Sequence, residues 1–378
     1  MNILQLTRDM LLIRRFEERL LQLFGEGLLH GTTHAYIGQE AVAASLFAHL
    51  NQDDLVFSNH RCPGHYLLHQ RDPLGLLAEL MGRQGGTCGG GGGSQHLQRG
   101  NFYSNGVQGG IAPALVGMTW AERFFERRQG IGCVFLGDGT LGQGQVYEAM
   151  NLASLWNLPV LFVIEHNGWS QSTPSHLQIA GSVRARPEAF GIPTFEIASN
   201  DIHELEPVAA QAVAQVRSGR GPVAVVCHTF RLCSHSKSDD GRPPEVIEPW
   251  LEKDPLRLAQ AHLEPHQWQQ LCDSVDGELR QVEELALAQP QATHWNLPGL
   301  AWPKVGPRLV IEDRLRVGQA LNQGFHRLLA ERPEVVVVGM DILDPYGGAF
   351  KVEKGLSTRF PGQVLPTPVC EMSLTGAC

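Results

Sequence analysis

The sequence has no excess of positive charge: 30 Lys and Arg stand against 39 Asp and Glu, a formal net charge of -9. That balance excludes the broad basic field that holds nucleic acid or an anionic membrane surface, so neither is expected as a partner. Long hydrophobic runs are also missing, and the nearest, Val160 to Ile164, falls far short of a membrane span. A secretory signal is not expected either. Arg8, Asp9, Arg14 and Arg15 interrupt the first apolar positions, and no small-residue cleavage site follows them. The cysteines, Cys62, Cys88, Cys133, Cys227, Cys233, Cys272, Cys370 and Cys378, lack the close pairs of a zinc site and the density of a disulfide framework. Free thiols in a cytoplasmic protein are the expectation. With 43% hydrophobic and 18% charged residues over 378 positions, the chain reads as a globular protein of two or three domains.

What is present is a pattern of alternating helices and short buried strands. Leu4, Leu11, Leu12, Phe16, Leu20 and Phe24 recur at helical spacing, predicting an amphipathic helix over 3–24 that ends near Gly25 and Gly27. A second helix fits residues 39–50. From Gly82 to Gly93 the chain is almost all glycine, which predicts a loop, either a surface linker or one that lets backbone approach a ligand. Apolar runs over 131–136, 160–164 and 222–227 alternate with helical patterns over 145–156 and 203–218. Short buried strands separated by helices imply an α/β fold with an open parallel sheet flanked by helices. Ligands in such sheets sit at the carboxyl ends of the strands. The segment from Pro290 to Pro303 carries three prolines and no period, so 290–307 reads as a linker. A new α/β unit follows, with a helix from about Arg314 to Arg332 and a strand over 335–338.

Asp138 and Asn167 each follow an apolar run, one strand–helix–strand crossover apart. Hard oxygen ligands at neighbouring strand ends suit Mg²⁺, which keeps room for phosphate oxygens in its octahedral shell. The other reading of Gly137-Asp138-Gly139 is an ordinary turn.

The segment Gly137-Asp138-Gly139, Glu148 to Asn151, Leu158-Pro159-Val160 and Glu165-His166-Asn167-Gly168 resembles the thiamine-diphosphate signature of the alpha subunits of 2-oxo acid dehydrogenases. Arg14 to Glu18, Tyr36 to Ala41, His60-Arg61, Gly93 to His96, Asn101 to Tyr103 and Arg231 through His235 to Asp240 resemble further landmarks of that family, in family order, over roughly residues 5–260. The resemblance implies a thiamine-diphosphate-binding fold. It implies Asp138, Asn167 and the backbone carbonyl of Trp169 as Mg²⁺ ligands, in the setting of Gly137 and Gly139. It implies His60 and Arg61 at the diphosphate and the backbone of Gly106 and Gln108 against the aminopyrimidine. His235 falls near the diphosphate or substrate and His34 near the substrate, the alternative for each being a structural imidazole. Asp138→Ala is then expected to abolish Mg²⁺-dependent cofactor binding while leaving the fold largely intact. The sequence departs from the family at Pro63, where a histidine is usual, and at Gly142, Ser234 and His166.

The C-terminal part resembles the start of the beta subunits of the same enzymes, in Asp341, Pro345 to Val352, Gly355-Leu356 and Thr367 to Glu371. That resemblance implies Glu371 as the catalytic glutamate that meets the aminopyrimidine, and a pyrimidine-type α/β unit that is only partial. The organisation expected is an alpha-type domain over 1–289, the linker 290–307 and a truncated beta-type domain over 308–378. The implied reaction is oxidative decarboxylation of a 2-oxo acid, pyruvate first, with acyl transfer to a lipoyl-carrying acyltransferase. A beta-type subunit and a homo- or hetero-oligomer are expected partners. An acetoin dehydrogenase or other aldehyde-transfer enzyme, and a non-catalytic assembly or regulatory remnant, are the alternatives.

Overall fold

The apolar runs become neighbouring strands in the computed structural model, which describes residues 2–29, 31–125, 130–236, 240–293 and 315–378. Most of the expected linker, and the start of the helix placed from Arg314, lie outside the described residues. The described residues up to 293 make one compact unit, and those from 315 to 376 belong to a second.

The first unit opens with helices α1 (Ile3–Gly25) and α2 (Glu40–Phe47), then β1 (Leu55–Ser58), α3 (Cys62–Gln70) and α4 (Pro73–Leu80). The strands β2 (Gln98–Arg99) and β3 (Phe102–Ser104) lead to α5 (Ile111–Phe124), β4 (Gly132–Gly137), α6 (Gly144–Leu155) and β5 (Val160–His166). A two-strand hairpin, β6 (Trp169–Ser170) and β7 (Thr173–Pro174), precedes β8 (Thr194–Ile197), the helix Ile202–Arg217 and β9 (Val223–His228). Seven strands form one sheet in the order β2-β3-β1-β4-β5-β9-β8. Every pairing in it is parallel except the antiparallel β2–β3 edge, which the sequence reading did not separate. The central strands are buried on both faces, so β4 and β5 read as continuous Val/Phe/Leu/Ile runs rather than alternating ones. Helix α5 packs on β1 and β4, and the helix Ile202–Arg217 on β5, β8 and β9.

The glycine-rich segment is neither a free linker nor part of the main cavity. Buried Glu79, near the end of α4, accepts backbone N–H bonds from Cys88 and Gly90 on one carboxylate oxygen and from Gly92 and Gly93 on the other. The backbone does close around an anion, but the anion is the chain's own. All eight cysteines are free. No described helix is long and apolar enough to cross a membrane.

The second unit holds a helix, Val317–Glu331, and two parallel strands, β10 (Val337–Met340) and β11 (Val364–Thr367). Its core is small, built on Leu329, Ile342, Leu356 and Val364. Two strands leave two sheet edges without a partner strand among the described residues.

Candidate active site

The carboxyl ends of β1, β4 and β5 converge on one cavity of about 340 Å³. Parallel register fixes what meets there. Gly137 at the end of β4 lies opposite Glu165 on β5, so the residues that follow, Asp138 and then Asn167, leave adjacent strand ends. Asp138 is 1% exposed, and a turn of 3₁₀ helix over Asp138–Gly142 begins at it. Its Oδ2 accepts from Gly168 N at 2.9 Å, Ser175 Oγ at 2.5 Å and His166 Nδ1 at 2.8 Å. Its Oδ1 accepts from Gly139 N at 2.8 Å and makes no other hydrogen bond among the described residues, so one lone pair remains for a cation. A Cβ at Gly139 would lie 2.3 Å from Ser170 Oγ, which is why glycine follows the aspartate. Asn167 is held by two contacts: Oδ1 accepts from Trp169 N at 3.0 Å, and Nδ2 donates to Gln39 Oε1 at 3.3 Å. Trp169 lines the same cavity, and Pro174, opposite it in the hairpin, has no N–H to offer its carbonyl.

From β1 come Asn59, His60 and Arg61. Arg61, 4% exposed, stands at the N-cap of α3, where Pro63 is tolerated because the first helical N–H groups have no partner inside the helix. Its Nη1 donates to the Ala35 carbonyl at 2.6 Å and its Nη2 to His235 Nδ1 at 3.1 Å. Because a guanidinium only donates, His235 presents the lone pair of Nδ1 here and carries its proton on Nε2. Arg61 has no carboxylate within ion-pairing distance among the described residues, and burial lowers its guanidinium from the ordinary value. Arg231, also buried, donates to the Cys233 and Gln171 carbonyls. Burial, with the Arg61 and Arg242 charges, brings it down to about 10.

The imidazoles of His34, His60 and His235 meet edge to face or tilted, with ring centroids 4.8–5.3 Å apart. Burial drives His60 well below its ordinary range, so it is neutral at pH 7, and neither of its ring nitrogens meets hydrogen-bond geometry with a described residue. Gly106 and Gln108 complete that side, with Gln108 Nε2 donating to the Gly106 carbonyl.

The cavity therefore gathers eleven of the residues expected from the sequence, namely His34, His60, Arg61, Gly106, Gln108, Gly137, Asp138, Gly139, Asn167, Trp169 and His235. Glu371 is not among its lining. It is the exposed first residue of the helix Glu371–Ala377, in the second unit. Of the Arg231–Asp240 segment, 237–239 lie outside the described residues. The lining residues that the sequence reading missed include Gln39, Asn59, Gln95 and Glu165. Three of these sit inside segments quoted for the resemblance, and Asn59 adjoins one, so the signal was present but carried no role.

Arg61, buried with no carboxylate partner among the described residues, the His60 nitrogens without a hydrogen-bond partner among them, and two oxygen donors at adjacent strand ends fit a diphosphate held through a divalent cation. Comparison with known proteins agrees. Residues 8–282 match the dehydrogenase E1 component family. The chain belongs to that family. It is 35% identical over 288 residues to the pyruvate dehydrogenase E1 component subunit alpha of Rhizobium meliloti, covering 74% of this chain and 81% of the relative. To the same subunit of Zymomonas mobilis it is 42% identical over 248 residues, 64% of this chain and 69% of the relative. The alpha subunit of an acetoin:2,6-dichlorophenolindophenol oxidoreductase from Cupriavidus necator is 38% identical over 242 residues, 63% and 72% of the two chains. The seven-stranded, mostly parallel sheet is the fold expected of this family.

Proposed function

We propose that this cavity holds thiamine diphosphate and Mg²⁺, and that the chain serves oxidative decarboxylation of a 2-oxo acid, pyruvate first, with acyl transfer to lipoamide. The single observation that carries the site is the pairing of a buried, anion-free Arg61 with Asp138 and Asn167 across one cavity. Membership of the dehydrogenase E1 component family carries the reaction class, an oxidoreductase dependent on thiamine diphosphate. When bound, the cofactor supplies the nucleophilic carbon and holds the electrons left by decarboxylation. The chain's own residues bind and orient. Asp138 Oδ1, Asn167 Oδ1 and the Trp169 carbonyl are the oxygens for the metal, and Arg61 and His60 serve the diphosphate. His34 and His235 can hold or pass a proton on the substrate side, with His235 starting from the Nε2–H tautomer.

Residues 1–289, 290–307 and 308–378 are read as an alpha-type domain, a linker and the start of a beta-type domain. The support is the resemblance of Pro345 to Val352 and of Thr367 to Glu371, which gives Glu371 its role at the aminopyrimidine. A beta-type subunit and a lipoyl-carrying acyltransferase are the proposed partners, in an oligomer within the cytoplasm. Acetoin is the second substrate reading, favoured by the oxidoreductase relative. Turnover of pyruvate, branched-chain 2-oxo acids and acetoin by the full chain, with thiamine diphosphate, Mg²⁺ and an artificial electron acceptor, tests the reading. It should be run with and without a beta-type subunit. Absence of both turnover and cofactor binding refutes it.

A further inference from the structure

Glu165 has no role so far, yet it lies 2% exposed beneath the cavity and is the point where Tyr36, Asn59 and His65 converge. Its Oε1 accepts from the Tyr36 hydroxyl and lies 3.3 Å from His65 Nε2. Its Oε2 accepts from Asn59 Nδ2 at 2.8 Å. Asn59 thus turns its NH₂ towards Glu165. That leaves Asn59 Oδ1 facing the other way, where it accepts the backbone N–H of Arg61 at 2.8 Å. The N–H it takes belongs to the residue at the N-cap of α3, outside the helix's own ladder. The chain of contacts therefore runs from Glu165 through Asn59 to the backbone that carries the cavity's guanidinium.

We propose that Glu165 is a positioning residue for diphosphate binding, which acts through the Asn59 amide to fix the backbone of Arg61 and so aim its guanidinium into the cavity. The inference rests on the reading that the cavity takes thiamine diphosphate. The two oxygens of Glu165 have separate tasks. Oε2 serves the route to Arg61, whereas Oε1 ties β5 to Tyr36 and His65, off that route.

The test is the dissociation constant of the full chain for thiamine diphosphate with Mg²⁺, followed by isothermal titration calorimetry, in a double-mutant cycle. Asn59→Ala cuts the route while sparing the carboxylate, and is expected to weaken binding about tenfold to thirtyfold, the loss of one or two buried hydrogen bonds. In an Arg61→Met background the same change should move the constant by less than about threefold, since the group being aimed is gone. Tyr36→Phe, which removes a bond from the other oxygen, should also stay within about threefold. Glu165→Leu should reproduce Asn59→Ala, and where it does not fold the Asn59 cycle decides alone. An Asn59→Ala effect that persists in full in the Arg61→Met background overturns the proposal, because Asn59 then meets the ligand itself. A Tyr36→Phe loss equal to that of Asn59→Ala also overturns it, reducing Glu165 to general packing. Failure of the unmutated chain to bind thiamine diphosphate overturns the functional reading as well. Binding by that chain with an additive cycle overturns this inference alone.

Discussion

Removing the carboxylate of Asp138 should do two separable things. Asp138→Ala deletes the oxygen assigned to Mg²⁺, and it also strips an acceptor from Gly139 N, Gly168 N, Ser175 Oγ and His166 Nδ1. The last three of these bonds hold the loop after β5 against the end of β4, so the change should also cost stability while the fold stays largely intact. A buried donor left without a partner costs about 1–3 kcal/mol. The polar cavity alongside admits water to part of the gap, which keeps the total nearer about 3 kcal/mol than the sum of four such losses. At about 2–4 °C per kcal/mol for a unit of this size, the metal-free protein should melt roughly 6–12 °C lower. Asp138→Asn keeps the volume and one oxygen and should melt within about 5 °C of the parent, while losing Mg²⁺ dependence as fully as the alanine variant. Scanning calorimetry in chelator reads the first effect, and titration of thiamine diphosphate with and without Mg²⁺ reads the second. Asp138→Ala that melts with the parent in chelator refutes the hydrogen-bond argument. Mg²⁺-dependent affinity that survives either substitution refutes the ligand assignment.

The glycine beside it offers a steric test. Gly139→Ala would bring a Cβ to 2.3 Å from Ser170 Oγ, a clash expected to cost about 1–3 kcal/mol and to weaken cofactor binding. Ser170→Gly in the same chain should restore most of both, and no rescue would place the strain elsewhere. The pH dependence of stability carries a signature of His69, which packs near Phe47 and Phe102 and which burial lowers from 6.5 to about 4. Above pH 6.5 it is neutral folded or unfolded. Between 6.5 and 4 the unfolded chain takes up a proton that the folded one refuses, so stability falls as pH falls, by about 1.4 kcal/mol per pH unit for this group. His69→Gln should reduce the proton uptake on unfolding in that window by about one, and denaturant titrations at pH 5 and 7 with an unchanged difference would sink the assignment.

Legibility in the sequence followed from how local each cause is. Strands β4 and β5 were plain because burial on both faces demands uninterrupted apolar runs, and both ran a residue or two past the expected ends towards the cavity. The β2–β3 edge was not, since two residues such as Gln98 and Arg99, exposed and polar, carry no period at all. The same divide runs through the site. Asp138 and Asn167 could be picked out because a strand end is a position that sequence marks, whereas Glu79 and Glu165 could not. Each is an acid inside an otherwise regular element, and its partners lie outside that element: the loop from Cys88 to Gly93 for one, and the distant Tyr36, Asn59 and His65 for the other. A buried carboxylate is stable only if such donors converge on it, and convergence is a property of the folded sheet rather than of any window of residues. The glycines of 82–93 make the point from the other side. Their number announced a backbone free to wrap an anion, but composition cannot distinguish a ligand's anion from a glutamate one helix away. At the cavity, the convergence on Glu165 is therefore a feature that the motif containing it marks without explaining.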